Sequence, residues 1–161
     1  MIEHGSASGQ DEWVMLEHPE PGTFLDLGAG YPFRGSNTIR LEENGWTGWA
    51  FDRSLRPGWE HRNTPLVTAN LLTDNIDDLF ADVPNYVDYL SLDVDCVTTD
   101  VLFRLPMRLQ FGLITIEHDA YRGDDGWGRS LQRDYLSNLG YVIAKEDVEI
   151  TKGPYEDWWK K

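Results

Sequence analysis

The sequence predicts an α/β domain, with a mostly parallel sheet carrying helices on both faces. Two observations predict it. Short apolar runs alternate with helical patterns and with glycine or proline punctuation almost throughout, which is the pattern of a parallel sheet. Each of the earlier apolar runs also ends in glycine or polar residues. A parallel sheet gathers such ends along one edge, where ligands bind. A chain of 161 residues amounts to one domain. At that size it buries about two thirds of its unfolded surface, without help from disulfides or a structural metal.

Residues 1–22 hold Gly5, Ser6, Ser8, Gly9, Pro19, Pro21 and Gly22 and read as loop, with a short helix over 12–17. They are expected to form an N-terminal extension ahead of one domain over 23–161. Phe24-Leu25-Asp26-Leu27 reads as a buried strand running into the turn Gly28-Ala29-Gly30. Ser36 or Asn37 caps a helix that runs to Asn44 and stops at Gly45. Residues 47–51 form a second strand ending at Asp52, and 53–65 form a loop with Pro57, Gly58 and Pro65. Residues 66–69 form a third strand ending at Asn70, followed by a short helix over 76–81.

Residues 87–92 form a fourth strand, ending at Asp93-Val94-Asp95. A helix over 98–105 is stopped by Pro106. The fifth strand, 111–116, ends at Glu117-His118-Asp119, and a glycine-containing loop over 123–128 follows. A helix over 129–139 places Leu131, Tyr135, Leu136 and Leu139 on one face and ends at Gly140. Residues 141–150 form a sixth strand, or two folded on each other. The segment 154–161 is aromatic and charged, and its Trp158 and Trp159 are expected to pack a C-terminal strand onto the core or onto a second subunit, as in a homodimer.

The chain is acidic, with 28 Asp and Glu against 14 Lys and Arg and a net charge of −14. Affinity for phosphate backbones comes from Lys and Arg, so no nucleic-acid partner is expected. The lone cysteine, Cys96, has no disulfide partner in the chain and reads as a small buried residue. The opening residues lack the pattern of a signal peptide. No apolar run nears the ~20 residues of a membrane span, so a cytoplasmic protein without a membrane partner is expected.

The strand ends carry the chemistry. Glycines at Gly28 and Gly30 let backbone approach a ligand closely. A dinucleotide fingerprint would need a third glycine where Phe33 stands, which disfavours a pyrophosphate there. A ligand with an amino-acid end suits the turn better, and Asp26 could help hold its ammonium, directly or through water. Asp52 is placed to accept hydrogen bonds from two ribose hydroxyls, which points to a nucleoside without choosing which. Asn70 and Leu71 could meet an adenine.

The ordered segments Phe24-Leu25-Asp26-Leu27-Gly28-Ala29-Gly30, Tyr89-Leu90-Ser91-Leu92-Asp93-Val94-Asp95, Ile116-Glu117-His118-Asp119-Ala120-Tyr121-Arg122, Leu139-Gly140-Tyr141 and Tyr155-Glu156-Asp157-Trp158-Trp159 resemble the FkbM-like family of class I S-adenosylmethionine-dependent methyltransferases. The resemblance covers roughly residues 22–159. It departs at Asp95-Cys96, where that family has an acid and a glycine, and few residues precede the first motif to form a substrate lid.

The resemblance implies a Rossmann-like class I methyltransferase fold. It implies S-adenosylmethionine as cofactor, S-adenosylhomocysteine as product, and O-methylation of a hydroxyl on a small-molecule or sugar acceptor. By position, Asp26, Gly28, Ala29 and Gly30 would line the methionine end, Asp52 the ribose, and Asn70 and Leu71 the adenine. Asp93 and His118 would face the methyl group.

His118 reads either as a general base, with Asp93 or Asp119 orienting it or the acceptor, or as a strand cap bonded to backbone. Asp119, Tyr121, Arg122 and Trp127 are expected near the acceptor. A divalent metal at Asp93, Asp95, His118 and Asp119 is not expected. A non-catalytic S-adenosylmethionine-binding module and an NAD-dependent oxidoreductase are the competing readings.

Overall fold

The computed structural model describes residues 4–123 and 126–161. Asp124 and Asp125, inside the expected glycine-containing loop, lie outside the described residues. The elements run in the order α1 (Gln10–Glu17), β1 (Thr23–Leu27), α2 (Ile39–Glu43), β2 (Thr47–Asp52), β3 (Leu66–Thr68), α3 (Ile76–Leu79), β4 (Tyr86–Leu92), α4 (Thr98–Arg104), β5 (Gln110–Glu117), α5 (Trp127–Asn138), β6 (Val142–Ile150) and β7 (Gly153–Lys160). No helix among the described residues is long and apolar enough to cross a membrane.

The sheet has seven strands in the order β3-β2-β1-β4-β5-β7-β6. The first five in sequence pair in parallel. β7 then enters antiparallel between β5 and β6, placing Trp159 opposite Ile114 and Trp158 opposite Thr115. The expected sixth strand is thus joined by a hairpin partner, and the two tryptophans belong to the sheet itself.

Strand alternation builds a core on each face. Leu25, Leu27, Leu90, Leu92, Ile114, Ile116 and Trp159 meet Ile76, Val101, Leu102 and Leu136 from α3, α4 and α5. Phe24, Tyr89, Leu113 and Trp158 meet Trp13 and Val14 of α1 and Leu41 of α2. Burying each such large side chain stabilises the fold by about 1.5–3 kcal/mol.

Residues 10–17 are therefore packed onto the sheet, with Gln10, Asp11, Trp13 and Val14 all buried. The helix expected from Ser36 begins at Ile39 with Thr38 as its N-cap, and Ser36 Oγ accepts the amides of Thr38 and Ile39 just ahead of it. On this face the sheet turns polar toward the strand ends. Tyr89 shares a hydrogen bond with Thr115, and Thr38 donates to Asp26 at 2.7 Å.

Candidate functional site

The chain leaves β1 for β2 on one side and returns to β4 on the other, so the sheet order switches between β1 and β4. Open α/β sheets bind ligands outside such a point. Gly28 stands there at φ 86°, and a Cβ on it would lie 1.7 Å from the carbonyl oxygen of Asp93. Only glycine lets the β1 and β4 ends lie this close.

A cleft of about 620 Å³ opens over these strand ends. Gly28, Ala29, Gly30, Asp52, Asn70, Leu71 and Asp93 line it, together with Arg122. Leu71 is buried and Asn70 exposed, with its Oδ1 accepting the Leu72 amide.

The amides of the glycine turn are already used. Gly28 and Ala29 both donate to the Phe51 carbonyl, and Gly30 donates to Asp52 Oδ2 at 3.0 Å. The other Asp52 oxygen accepts the Ser54 amide at 2.7 Å. Each carboxylate oxygen accepts more than one hydrogen bond, so Asp52 remains able to bind hydroxyls. A pyrophosphate would find no free amide in this turn, and α2 starts well beyond it.

The structure places other expected site residues away from the cleft lining. Asp26 is buried behind the glycine turn, where burial raises its pKa to about 6 against the Thr38 hydrogen bond and the Arg62 charge. Asp26 is therefore not placed for direct contact with a ligand's ammonium.

His118 is also turned away. The cause is β7, whose Tyr155 carbonyl accepts the amides of both His118 and Asp119 and so caps the end of β5. The His118 side chain is fully buried, with Nδ1 accepting the Ala120 amide and Nε2 facing Asp147 and Asp157 at 3.5 and 3.6 Å. Burial opposes the Asp157 charge, but hydrogen bonds from Arg133 and from the Asp147 amide, with His118 close by, overcome it and hold the carboxyl well below the usual range.

His118, Asp147 and Asp157 come close enough together to share a metal ion. Arg129 and Arg133 already pair with these carboxylates at 2.7 Å, however, and supply the positive charge. Among the described residues this trio, and not Asp93, Asp95, His118 and Asp119, is the group whose ligand atoms come together.

Asp119 is buried and pairs with Arg122 at 2.7 Å. Tyr121 sits beneath Arg122 and outside the lining, and Trp127 is 70% exposed on the first turn of α5. Cys96, expected to be buried, is exposed: it lies in a short 3-10 turn at the cleft rim.

Two residues that the sequence did not single out, Tyr155 and Glu117, lie beside Asp93 and outside the cleft lining. The Tyr155 hydroxyl donates to Asp93 Oδ2. Glu117 is buried, with the Thr98 hydroxyl 3.4 Å away. Desolvation, together with the neighbouring Asp93 and Asp119, pushes its pKa up to about 12. Glu117 thus keeps its proton at neutral pH. Its position at the last residue of a strand carried no sign of this, since the crowding comes from the β4 end and the loop after β5.

No protein-family model matches the chain, and no curated protein matches it in sequence. Solved structures do match. One is 1,6-didemethyltoxoflavin-N1-methyltransferase from Burkholderia thailandensis, with bound 1,6-didemethyltoxoflavin and S-adenosylhomocysteine. It has a TM-score of 0.59 at 16% identity, over 94% of this chain and 74% of that one. A candidate hemolysin from Lactococcus lactis matches with a TM-score of 0.58 at 16% identity, over 100% and 90%. A candidate methyltransferase from Streptococcus mutans, in complex with S-adenosylhomocysteine, matches with 0.56 at 16%, over 88% and 89%. The likeness establishes a Rossmann-like α/β fold.

Proposed function

We propose that the chain is an S-adenosylmethionine-dependent methyltransferase acting on a small molecule. One observation carries the reading: the cleft pairs Asp52 with a glycine turn whose amides are all engaged within the protein. That combination suits a nucleoside without a pyrophosphate and disfavours NAD. Two of the fold's matches hold S-adenosylhomocysteine, which supports the same choice.

In this reading Gly28, Ala29 and Gly30 border the methionine end. Asp52 takes the ribose hydroxyls, and Asn70 and Leu71 flank the adenine. Bound there, the sulfonium supplies an activated methyl group. The protein contributes alignment and a proton acceptor.

Asp93 is the acceptor we assign. It lines the cleft, and its carboxylate accepts a hydrogen bond from the Tyr155 hydroxyl. A hydroxyl on the methyl acceptor, as the FkbM-like resemblance implies, would donate to this carboxylate as its oxygen attacks. His118, sealed behind Tyr155, has no part in that step.

Transfer of labelled methyl from S-adenosylmethionine to a panel of hydroxylated small molecules tests the reading. We expect turnover, reduced about 10²–10⁴-fold in Asp93→Asn. Tight S-adenosylhomocysteine binding with no transfer to any acceptor would instead favour a non-catalytic binding module.

A further inference from the structure

The cleft carries a charge pattern that its proposed cofactor does not explain. Four arginines, Arg34, Arg53, Arg56 and Arg122, line it against the carboxylates of Asp52, Asp93 and Asp95. This is a local excess of positive charge in a chain of net charge −14.

Other arginines are engaged. Arg40 pairs with Glu12, Arg62 with Glu42, Arg129 with Asp147 and Arg133 with Asp157. Arg104 and Arg108 donate to backbone carbonyls, and Arg122 is tied to Asp119. Among the described residues Arg34, Arg53 and Arg56 have no acidic partner, although acids outnumber bases two to one.

The segments that carry these arginines are fixed to one another. The Arg56 guanidinium lies 5.3 Å from the centre of the Tyr31 ring. Buried Trp59 donates to the Gly30 carbonyl at 3.0 Å, and Arg62 donates to the Pro32 carbonyl at 2.7 Å. The loop after β1 and the loop after β2 therefore form one wall. Arg34, Arg53 and Arg56 are exposed on this wall, and guanidiniums so presented are suited to bidentate capture of phosphate or carboxylate.

S-adenosylmethionine cannot satisfy this wall. It brings one carboxylate, together with an ammonium and a sulfonium, and is cationic overall. We propose that the wall of Arg34, Arg53 and Arg56 binds an oxyanion, a phosphate or a carboxylate, carried by the methyl acceptor. The assignment to an acceptor rests on the methyltransferase reading, whereas the anion site itself does not.

The test is calorimetric titration of the S-adenosylhomocysteine-loaded protein with inorganic pyrophosphate and, separately, with citrate. We expect saturable binding that weakens about tenfold or more in the double variant R53E/R56E. Tighter pyrophosphate would identify a phosphorylated acceptor, and tighter citrate a carboxylated one. The same variant should keep its S-adenosylhomocysteine affinity, which shows that it is folded and that the cofactor site is intact. Absence of binding, or equal binding by wild type and variant, would overturn the proposal. If S-adenosylhomocysteine fails to bind even the wild type, the methyltransferase reading falls, and the same titrations on the free protein still decide the anion site.

Discussion

Gly28 shows how a single residue position couples fold to site. The Asp93 carbonyl occupies the space where its side chain would be, so Gly28→Ala must push β1 and β4 apart. We expect a loss of about 2–4 kcal/mol in denaturant unfolding, together with loss of cofactor binding. Glu156 gives a pH signature. Its buried carboxyl is raised to about 8 by desolvation, against hydrogen bonds from Trp158 and Gln10, while Asp26 is raised to about 6. A carboxyl with a raised folded pKa binds its proton more tightly in the folded state. Its contribution is complete below the unfolded pKa and is lost as pH rises through the folded one. Stability should therefore decline from about pH 5 to pH 8, and Glu156→Gln should flatten that slope in unfolding curves recorded across the range. An unchanged slope would show that Glu156 is not the group responsible. Asp157, held below the usual range, acts only in stronger acid.

Among the elements, β7 determines most about the site and was the least legible in the sequence. Strands β1 to β5 announced themselves, because each is an apolar run with punctuation at its end, and the structure places them within a residue or two of expectation. β7 is different. Its sequence, Gly-Pro-Tyr-Glu-Asp-Trp-Trp-Lys, mixes buried acids with aromatics, and its place between β5 and β6 is a long-range pairing that no local pattern encodes. Glu156 and Asp157 are tolerated there because Trp158 donates to the first and Arg133 to the second. The pairing also explains why His118, a natural candidate at a strand end, lies sealed from the cleft while Tyr155 reaches Asp93. Trp159→Ala should cost about 3–5 kcal/mol, measured by denaturant unfolding. Tyr155→Phe should leave the fold and S-adenosylhomocysteine affinity intact and shift the pH profile of methyl transfer. An unmoved profile would remove Tyr155 from the acceptor side.

At the scale of the whole molecule, the parallel order of β3, β2, β1, β4 and β5 gathers the ends of consecutive strands over one cleft. That much of the site was readable in advance, since Gly28, Gly30, Asp52, Asn70, Leu71 and Asp93 each follow an apolar run and all line it. The buried neighbours of Asp93 were not readable, because Glu117 and Tyr155 reach it only through tertiary crowding. Nor was the arginine wall, whose members are separated in sequence and are joined by two loops packing together. The central claim is that this cleft binds S-adenosylmethionine through Asp52. Calorimetry with S-adenosylhomocysteine and with NAD, on wild type and on Asp52→Ala, tests it most directly. We expect micromolar binding of S-adenosylhomocysteine, weakened by about tenfold or more in the variant, and no comparable binding of NAD. NAD binding in preference to S-adenosylhomocysteine, or S-adenosylhomocysteine binding indifferent to Asp52, would contradict it.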